Sequence, residues 1–259
     1  MAASTSCHRP ADGLRVRGTV IVVPGRGETP ATYARFGARL AYDAYQVAVT
    51  DQPDTDAASL TPYLGDLARV LSGAVADFGD GLVRPLVLVG SDLAAAGVAA
   101  LASRADPSAL WWPQGIVLAG LPGYGLGTGA ATDGDGWDEE LDIRTHCPVH
   151  RGVLGRDAGV RRGALADAVP DELLDAAHGS GADVPHLLLV GDGDPLADLG
   201  TLARTAKALP AARLAVVRGA HHDVLNDLQH RSVAAEVVSF LEALRDDLNP
   251  AVAVPASAW

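Results

Sequence analysis

The sequence predicts an α/β protein: a mainly parallel sheet with helices on both faces and one inserted cap. Short apolar runs alternate with longer amphipathic stretches, as in βαβ units. Residues 17–24 (RGTVIVVP) form a continuous run rich in β-branched side chains, which is typical of a strand covered on both faces. Of the 259 residues, 48% are hydrophobic and 20% are charged, which excludes a disordered or collagen-like chain.

At least six strands follow one another along the chain. They are predicted at residues 17–24, 45–50, 85–89, 114–119, 186–190 and 213–217. Amphipathic or alanine-rich segments between and after them predict helices at about 30–42, 58–79, 93–103, 196–208 and 224–246. This alternation of strand and helix predicts crossover connections and therefore parallel strands.

One stretch, residues 123–183, breaks the alternation. It opens with GYGLGTGAATDGDG and then carries polar, weakly helical sequence without a strand-like run. A structureless loop of this length is unusual inside a compact domain, so we interpret the stretch as an inserted cap. The predicted organisation is an N-terminal tail (1–15), a core (16–122 and 184–250) that flanks the cap (123–183), and a C-terminal tail (251–259).

Charge and composition restrict the partners. The net charge of −12 argues against binding to nucleic acid or an anionic membrane. Without an apolar run of ~18 residues or a secretory signal, and with only two cysteines, we expect a cytoplasmic protein. The abundant arginine and alanine beside a single lysine suggest a high-GC bacterial genome. The segment THCPVH (145–150) lacks a fourth metal ligand, so no metal or cofactor is predicted.

The segment LVLVGSDLAAAG (86–97) is the most informative for function. A strand that ends in Gly-x-nucleophile-x-small and turns directly into a helix has the pattern of a nucleophile elbow. In the G-x-S-x-G register Asp92 takes the nucleophile position and Gly90 the position two residues before it. At this point the chain resembles the α/β-hydrolase superfamily, with aspartate in place of the usual serine.

Two downstream segments extend the resemblance. LLLVGDGDPLAD (187–198) is similar to the strand and turn that deliver the acid of the triad, which implies that role for Asp194. GAHHDVLND (219–227) is similar to the segment that carries the histidine in lysophospholipase-like members, which implies His222. The chain order of nucleophile, acid and histidine is that of the superfamily. The resemblance also implies a short or missing N-terminal antiparallel strand pair, since ~15 residues precede the first strand.

The segment PGRGE (24–28) resembles the HGxGE loop of monoacylglycerol-lipase-like members, with proline in place of histidine. The resemblance implies an oxyanion hole formed by the backbone N–H of Gly25 or Arg26 and that of Leu93.

Other interpretations of these residues stay open. Asp92 has a common structural use as a helix N-cap, and Asp194 as a turn residue. Ser91 is an alternative nucleophile in a shifted register. The choice of His222 over His221 depends on the resemblance alone.

An aspartate at the elbow changes the expected chemistry. A carboxylate reacts as a nucleophile at a saturated carbon, where it displaces the leaving group, more readily than at the carbonyl of an ester. Attack on an ester would form an anhydride. Superfamily members with this residue are epoxide hydrolases and haloalkane dehalogenases. The dehalogenases usually have tryptophan where this chain has Leu93. The epoxide hydrolases usually have two cap tyrosines, and the predicted cap has only Tyr124, with Trp137, His146 and His150 as other possible donors. Neither signature is complete, and epoxide hydrolysis is the favoured expectation. For the substrate pocket we expect contributions from Ser91, Tyr124 and Trp137.

Three functions remain: an Asp-nucleophile hydrolase of a small molecule, an esterase- or lysophospholipase-like hydrolase that uses Ser91 or has Asp92 as a base, and a degenerate ligand-binding member. Monomer and homodimer are both open.

Overall fold

A seven-stranded sheet in the order β1-β3-β2-β4-β5-β6-β7 forms the centre of the computed structural model, which describes residues 6–53, 59–125 and 136–252. The strands are β1 Ser6–His8, β2 Gly18–Val23, β3 Tyr45–Val49, β4 Leu86–Ser91, β5 Gly115–Ala119, β6 His186–Gly191 and β7 Ala212–Val217. All neighbours pair in parallel except β1, which pairs antiparallel with β3 over three residues. The predicted parallel sheet is confirmed, and the N-terminal antiparallel part is short, as the resemblance implied.

Eight α-helices lie in the described ranges. They are α1 Ala34–Tyr42, α2 Leu60–Phe78, α3 Leu93–Ala102, α4 Gly136–Arg144, α5 Pro148–Arg156, α6 Asp171–His178, α7 Leu199–Ala208 and α8 His230–Leu244. The last helix begins later than its apolar periodicity predicts, because residues 220–229 form a series of turns first. None of the helices in these ranges is long and apolar enough to cross a bilayer.

The sheet is covered on both faces because alternate side chains of its strands point to opposite sides. Val20 and Val22 of β2 face a layer formed by α1 and α8, whereas Ile21 and Val23 face α2, α3, α6 and α7. Every residue of β2, β3, β4, β5 and β6 is buried, which explains why these strands are apolar without alternation. The edge strand β7 is partly exposed.

Between β5 and β6 the chain forms the region that the sequence predicts as a cap. It contains α4, α5, a 3-10 turn at Ala164–Ala166 and α6. Leu141, Leu154 and Val160 form a small apolar cluster of their own, while α6 packs against α3 in the main core. Most of the glycine-rich opening of this region, residues 126–135, lies outside the described residues.

Candidate active site

The turn between β4 and α3 has the backbone of a nucleophile elbow. Asp92 adopts φ 54° and ψ −124°, a conformation that is rare for a residue with a side chain. Its N–H donates to the Ala119 carbonyl at 2.9 Å, which ties the turn to β5. A Cβ atom on Gly90 would lie only 2.4 Å from the Ala94 carbonyl oxygen, so strand and helix can approach this closely only with glycine there.

His222 lies between two carboxylates at the carboxyl edge of the sheet. Its Nδ1 is 2.9 Å from Asp194 Oδ2 in a hydrogen bond, and its Nε2 is 3.1 Å from Asp92 Oδ1. The second contact is an ion pair whose N–H is not aimed well enough to form a hydrogen bond. All three side chains are buried. The structure therefore brings Asp92, His222 and Asp194 together.

The neighbouring histidine has a different environment. Its ring nitrogen lies 2.9 Å from the Asp227 carboxylate, and its ring lies against that of His146 with centroids 3.8 Å apart. His221 is thus bound to the loop that precedes α8, while His222 faces the elbow. Asp194 also accepts the N–H of Leu196 at 2.8 Å, so its carboxylate is held by its own turn.

Arg26 occupies the other side of the Asp92 carboxylate. Its Nη2 donates to Asp92 Oδ1 at 2.8 Å, and its Nε donates to Oδ2 at 2.7 Å. Its backbone N–H also donates to Oδ2, at 2.9 Å. The remaining guanidinium nitrogen, Nη1, donates to the carbonyls of Leu165 and Asp167 in the cap. Arg26 therefore joins the elbow to the cap and contacts both oxygens of the Asp92 carboxylate.

The four side chains form a charge-balanced row of Asp194, His222, Asp92 and Arg26. Burial alone would raise the pKa of Asp92, but the charges of Arg26 and His222 outweigh it and hold that pKa well below its usual value. Burial would lower the pKa of His222, but Asp194 and Asp92 raise it to about 10. At neutral pH the imidazole is therefore protonated and the Asp92 carboxylate is ionised.

A second buried polar cluster lies next to this row. Glu28, His150 and Asp223 have potential ligand atoms within 4.8 Å of one another, and Glu28 Oε1 has no hydrogen-bond partner in the described part of the chain. Burial and the Asp223 charge raise the pKa of Glu28 to about 7. The Arg144 guanidinium lies 3.4 Å from Asp223 and 2.8 Å from Glu140. Since Arg144 already supplies a permanent positive charge here, we assign no metal to the cluster.

Two residues predicted at the site are bound to this neighbouring cluster instead. The N–H of Gly25 donates to Glu28 Oε2 at 2.9 Å, so it is not directed at the elbow and does not serve as an oxyanion donor in this structure. The Ser91 hydroxyl lies beside that of Tyr33, which in turn donates to Glu28. Among the described residues, the contacts of the His222 ring are with Asp92 and Asp194, not with Ser91.

The two aromatic residues expected in the pocket lie elsewhere. The Tyr124 hydroxyl donates to Asp175 at 2.8 Å, and 40% of that tyrosine is exposed. Trp137 packs against the small apolar cluster of the cap and lies under the Arg162 guanidinium. Each side chain makes its contacts within or beside the cap, and its assignment to the substrate pocket stays a prediction. Leu93 is the first residue of α3, where backbone N–H groups lack partners inside the helix.

Sequence reasoning missed the side chain of Arg26, for which only the backbone N–H was considered. It also missed Glu28 and Asp223, although both stand inside segments that carry the resemblance. Tyr63 of α2 was missed as well: burial and the charge of Asp92 raise its pKa, so its hydroxyl lies within electrostatic reach of the elbow. An acid directly after the oxyanion loop and an acid next to His222 were the available signals.

Comparisons with known proteins agree with this fold. The family model Abhydrolase_4, described as TAP-like protein, matches residues 167–248. No sequence among the curated proteins matches significantly. Of the solved structures, the monoacylglycerol lipase of Paleococcus ferrophilus superposes with a TM-score of 0.69 at 18% identity, covering 94% of this chain and 100% of that one.

Two further solved structures are similar to the same extent. The monoglyceride lipase of Saccharomyces cerevisiae has a TM-score of 0.70 at 15% identity, with 93% of this chain and 91% of that chain covered. A carboxyl esterase from Bacillus coagulans has a TM-score of 0.69 at 15% identity, with coverages of 93% and 94%. These likenesses show that the chain has the α/β-hydrolase fold, and the family model that matches residues 167–248 supports its assignment to the α/β-hydrolase superfamily.

Proposed function

We propose that the protein is a hydrolase in which Asp92 attacks a saturated carbon of a small epoxide and His222 activates the water that releases the diol. The observation that carries the proposal is the contact of His222 with both carboxylates, 3.1 Å to Asp92 and 2.9 Å to Asp194. Those distances are within reach of proton transfer after small adjustments.

The protonation state supports an epoxide over a haloalkane or an ester. Attack by Asp92 opens the ring, forms a carbon–oxygen bond to the enzyme and leaves an alkoxide on the substrate. This alkoxide takes the proton of His222, whose pKa falls because Asp92 has lost its charge on becoming an ester. A departing halide needs no such proton, whereas a serine esterase needs a neutral histidine at the start of its reaction.

The neutral His222 is then the base for the second step. It takes a proton from water as the water attacks the carbonyl carbon of the Asp92 ester, and the Arg26 N–H stabilises the resulting oxyanion. Collapse breaks the bond between that carbonyl carbon and the ester oxygen, and the departing alkoxide takes the proton of His222 to complete the diol. The new carboxylic acid of Asp92 then gives its proton back to His222. The sum is epoxide plus water to diol, with Asp92 ionised and His222 protonated again.

Arg26 sets a condition on this scheme. Its guanidinium contacts both oxygens of the Asp92 carboxylate, so a substrate carbon reaches that carboxylate only after the side chain has moved. Because the same guanidinium binds cap carbonyls at Leu165 and Asp167, movement of the cap would withdraw it. We therefore propose that the described structure is the closed state of the enzyme.

The experiment is a panel of aryl epoxides, haloalkanes and p-nitrophenyl esters with the wild type, Asp92→Asn and His222→Gln, combined with rapid quench and intact-mass analysis. We expect epoxide turnover by the wild type, no adduct on Asp92→Asn, and accumulation of the ester on His222→Gln. Full activity of Asp92→Asn, with deamidation excluded by mass, would refute the proposal. So would a preference for esters that is abolished by Ser91→Ala or by a fluorophosphonate label on Ser91.

A second candidate is a ligand-binding protein without turnover, and the Arg26 contacts favour it. Three hydrogen bonds from one residue stabilise the Asp92 charge and lower its nucleophilicity. In that case no substrate of the panel is consumed, and no adduct forms on His222→Gln either. Saturable binding of a panel compound without product would then support this candidate.

A further inference from the structure

Away from the elbow, α1 and the first turn of α8 border an open concavity of about 510 Å³. Three arginines, Arg35, Arg39 and Arg231, line it together with His230. On a chain with a net charge of −12, three guanidinium groups around one concavity are a marked local excess of positive charge. A concavity of this size is in the range of small-molecule sites.

The arginines differ in how far they are already neutralised. Arg39 forms an ion pair with Asp43 at 3.3 Å, while Arg35 donates to the Asn226 carbonyl and to the Cys147 sulfur. Arg231 is exposed and has no hydrogen bond or ion pair with the part of the chain that the structure describes. Of the three arginines, Arg39 is therefore paired with a carboxylate, and the guanidinium of Arg231 keeps all of its N–H donors available for a ligand.

The nearest further acid, Asp227, does not neutralise them. Its carboxylate accepts hydrogen bonds from Thr145, from the N–H groups of residues 146 and 147, and from His221. Three of these donors belong to the cap and one to the loop before α8, so the hydrogen-bonding capacity of the Asp227 carboxylate is used by them, while its charge acts on His230 and by itself raises the pKa of that imidazole.

His230 supplies a second, independent observation. Its Nδ1 is buried and has no hydrogen-bond partner among the described residues. Burial, together with the charges of Arg35 and Arg231, lowers the pKa of this imidazole, as expected in a positive environment. His230 is also the first residue of α8, a 15-residue helix whose N-terminus adds a partial positive charge.

We propose that this concavity binds a small phosphorylated compound, with its phosphoryl group between Arg231, Arg35 and His230. A phosphoryl group carries up to two negative charges and matches the planar donor geometry of arginine. It would accept hydrogen bonds from the free guanidinium of Arg231 and lie beside the His230 ring that lines the concavity. Phe36 and Leu225 supply apolar lining for the organic part of the ligand.

The test uses the full chain and two probes, inorganic phosphate and phenyl phosphate, in isothermal titration at constant ionic strength. We expect one saturable site per chain, with phenyl phosphate bound more tightly than inorganic phosphate because of the apolar lining. Arg231→Ala removes the unpaired cation and is expected to weaken both probes by about tenfold or more, as for a lost hydrogen bond between charged groups.

Arg69→Ala is the matched control, since Arg69 is likewise an exposed helical arginine but lies on α2. Affinity within about twofold of the wild type is expected for it, because a distant exposed charge is screened. Equal weakening by both variants would show a general charge effect and overturn the proposal. Absence of saturation, unchanged binding by Arg231→Ala, or equally tight binding of succinate would overturn it as well. None of these outcomes depends on turnover at Asp92.

Discussion

Replacement of Arg26 by methionine tests the most unusual feature of the site, the ion pair with Asp92. Methionine keeps much of the side-chain length and removes the guanidinium, so three contacts disappear together: two hydrogen bonds to Asp92 and the link to the cap carbonyls. The backbone N–H of residue 26 still donates to Asp92 Oδ2. The change therefore removes the guanidinium contacts with Asp92 and with the cap but leaves the backbone contact of the loop with Asp92.

Burial sets the size of the effect. Arg26 is 4% exposed and Asp92 is 2% exposed, and removal of one partner of such a pair costs about 3–5 kcal/mol. Protonated His222, 3.1 Å from Asp92, still compensates part of the charge, so we expect the lower end, about 3 kcal/mol. For a domain of this size, that corresponds to a fall in the melting temperature of roughly 6–12 °C.

Urea unfolding followed by circular dichroism at pH 7 measures this loss, and Arg161→Met is the matched control. Arg161 pairs with Asp167 of the cap at 2.6 Å, but both side chains are about half exposed, so its loss should cost less than about 1 kcal/mol. In Asp92→Asn the Arg26 charge is left unpaired instead. The double variant should therefore lose less than the sum of the single losses, by about 2 kcal/mol.

The reasoning would be refuted if Arg26→Met and Arg161→Met lost the same free energy of unfolding, or if the losses of Arg26→Met and Asp92→Asn were additive. Either result would mean that the row of alternating charges does not stabilise the closed site. An increase in epoxide turnover by Arg26→Met would separately support the proposed obstruction of Asp92.

Three further predictions concern pH and backbone space. The pKa of His222 is raised to about 10, so its contribution to stability is complete below its ordinary pKa and is lost as pH rises through 10. The free energy of unfolding should therefore fall between pH 7 and 10 by at most about 1.4 kcal/mol per pH unit. His222→Gln should lack this slope. Burial and Asp223 raise the pKa of Glu28 to about 7, so the protein loses stability as pH rises from the ordinary pKa of a glutamate to about 7, and the loss is complete above that pH. Glu28→Gln should therefore be more stable than the wild type at pH 8 and similar to it at pH 5 in the same urea assay. Gly90→Ala should lower the free energy of unfolding by at least about 1–3 kcal/mol, because the new Cβ would overpack against the α3 backbone. Gly73→Ala has open space around its Cβ and should stabilise α2 by about 0.5–1 kcal/mol. Parallel thermal melts of the two variants check both predictions.

The sequence by itself determined the parallel sheet and the position of the elbow. The continuous apolar strands are recognisable because each is buried on both faces, as β2 shows with residues that alternate between the two helical layers. The elbow is recognisable because a sharp turn between strand and helix permits only small residues at positions such as Gly90. Both constraints leave a signal within a short stretch of sequence, an apolar run for the strand and small residues for the turn.

The contents of the site were decided by the tertiary structure. The contacts that decide the site join residues from 6 to 66 positions apart in the chain. They are the bond of His221 to Asp227, which leaves His222 at the elbow, the ion pair of Arg26 with Asp92, and the hydrogen bond of Tyr124 to Asp175. An arginine in a loop has five donors and a flexible stem, so its sequence neighbours do not determine its partner. Only the fold brings the cap carbonyls and the elbow next to the Arg26 side chain. Because this place is buried, an ion pair of Arg26 with Asp92 has a much lower free energy than either charge alone.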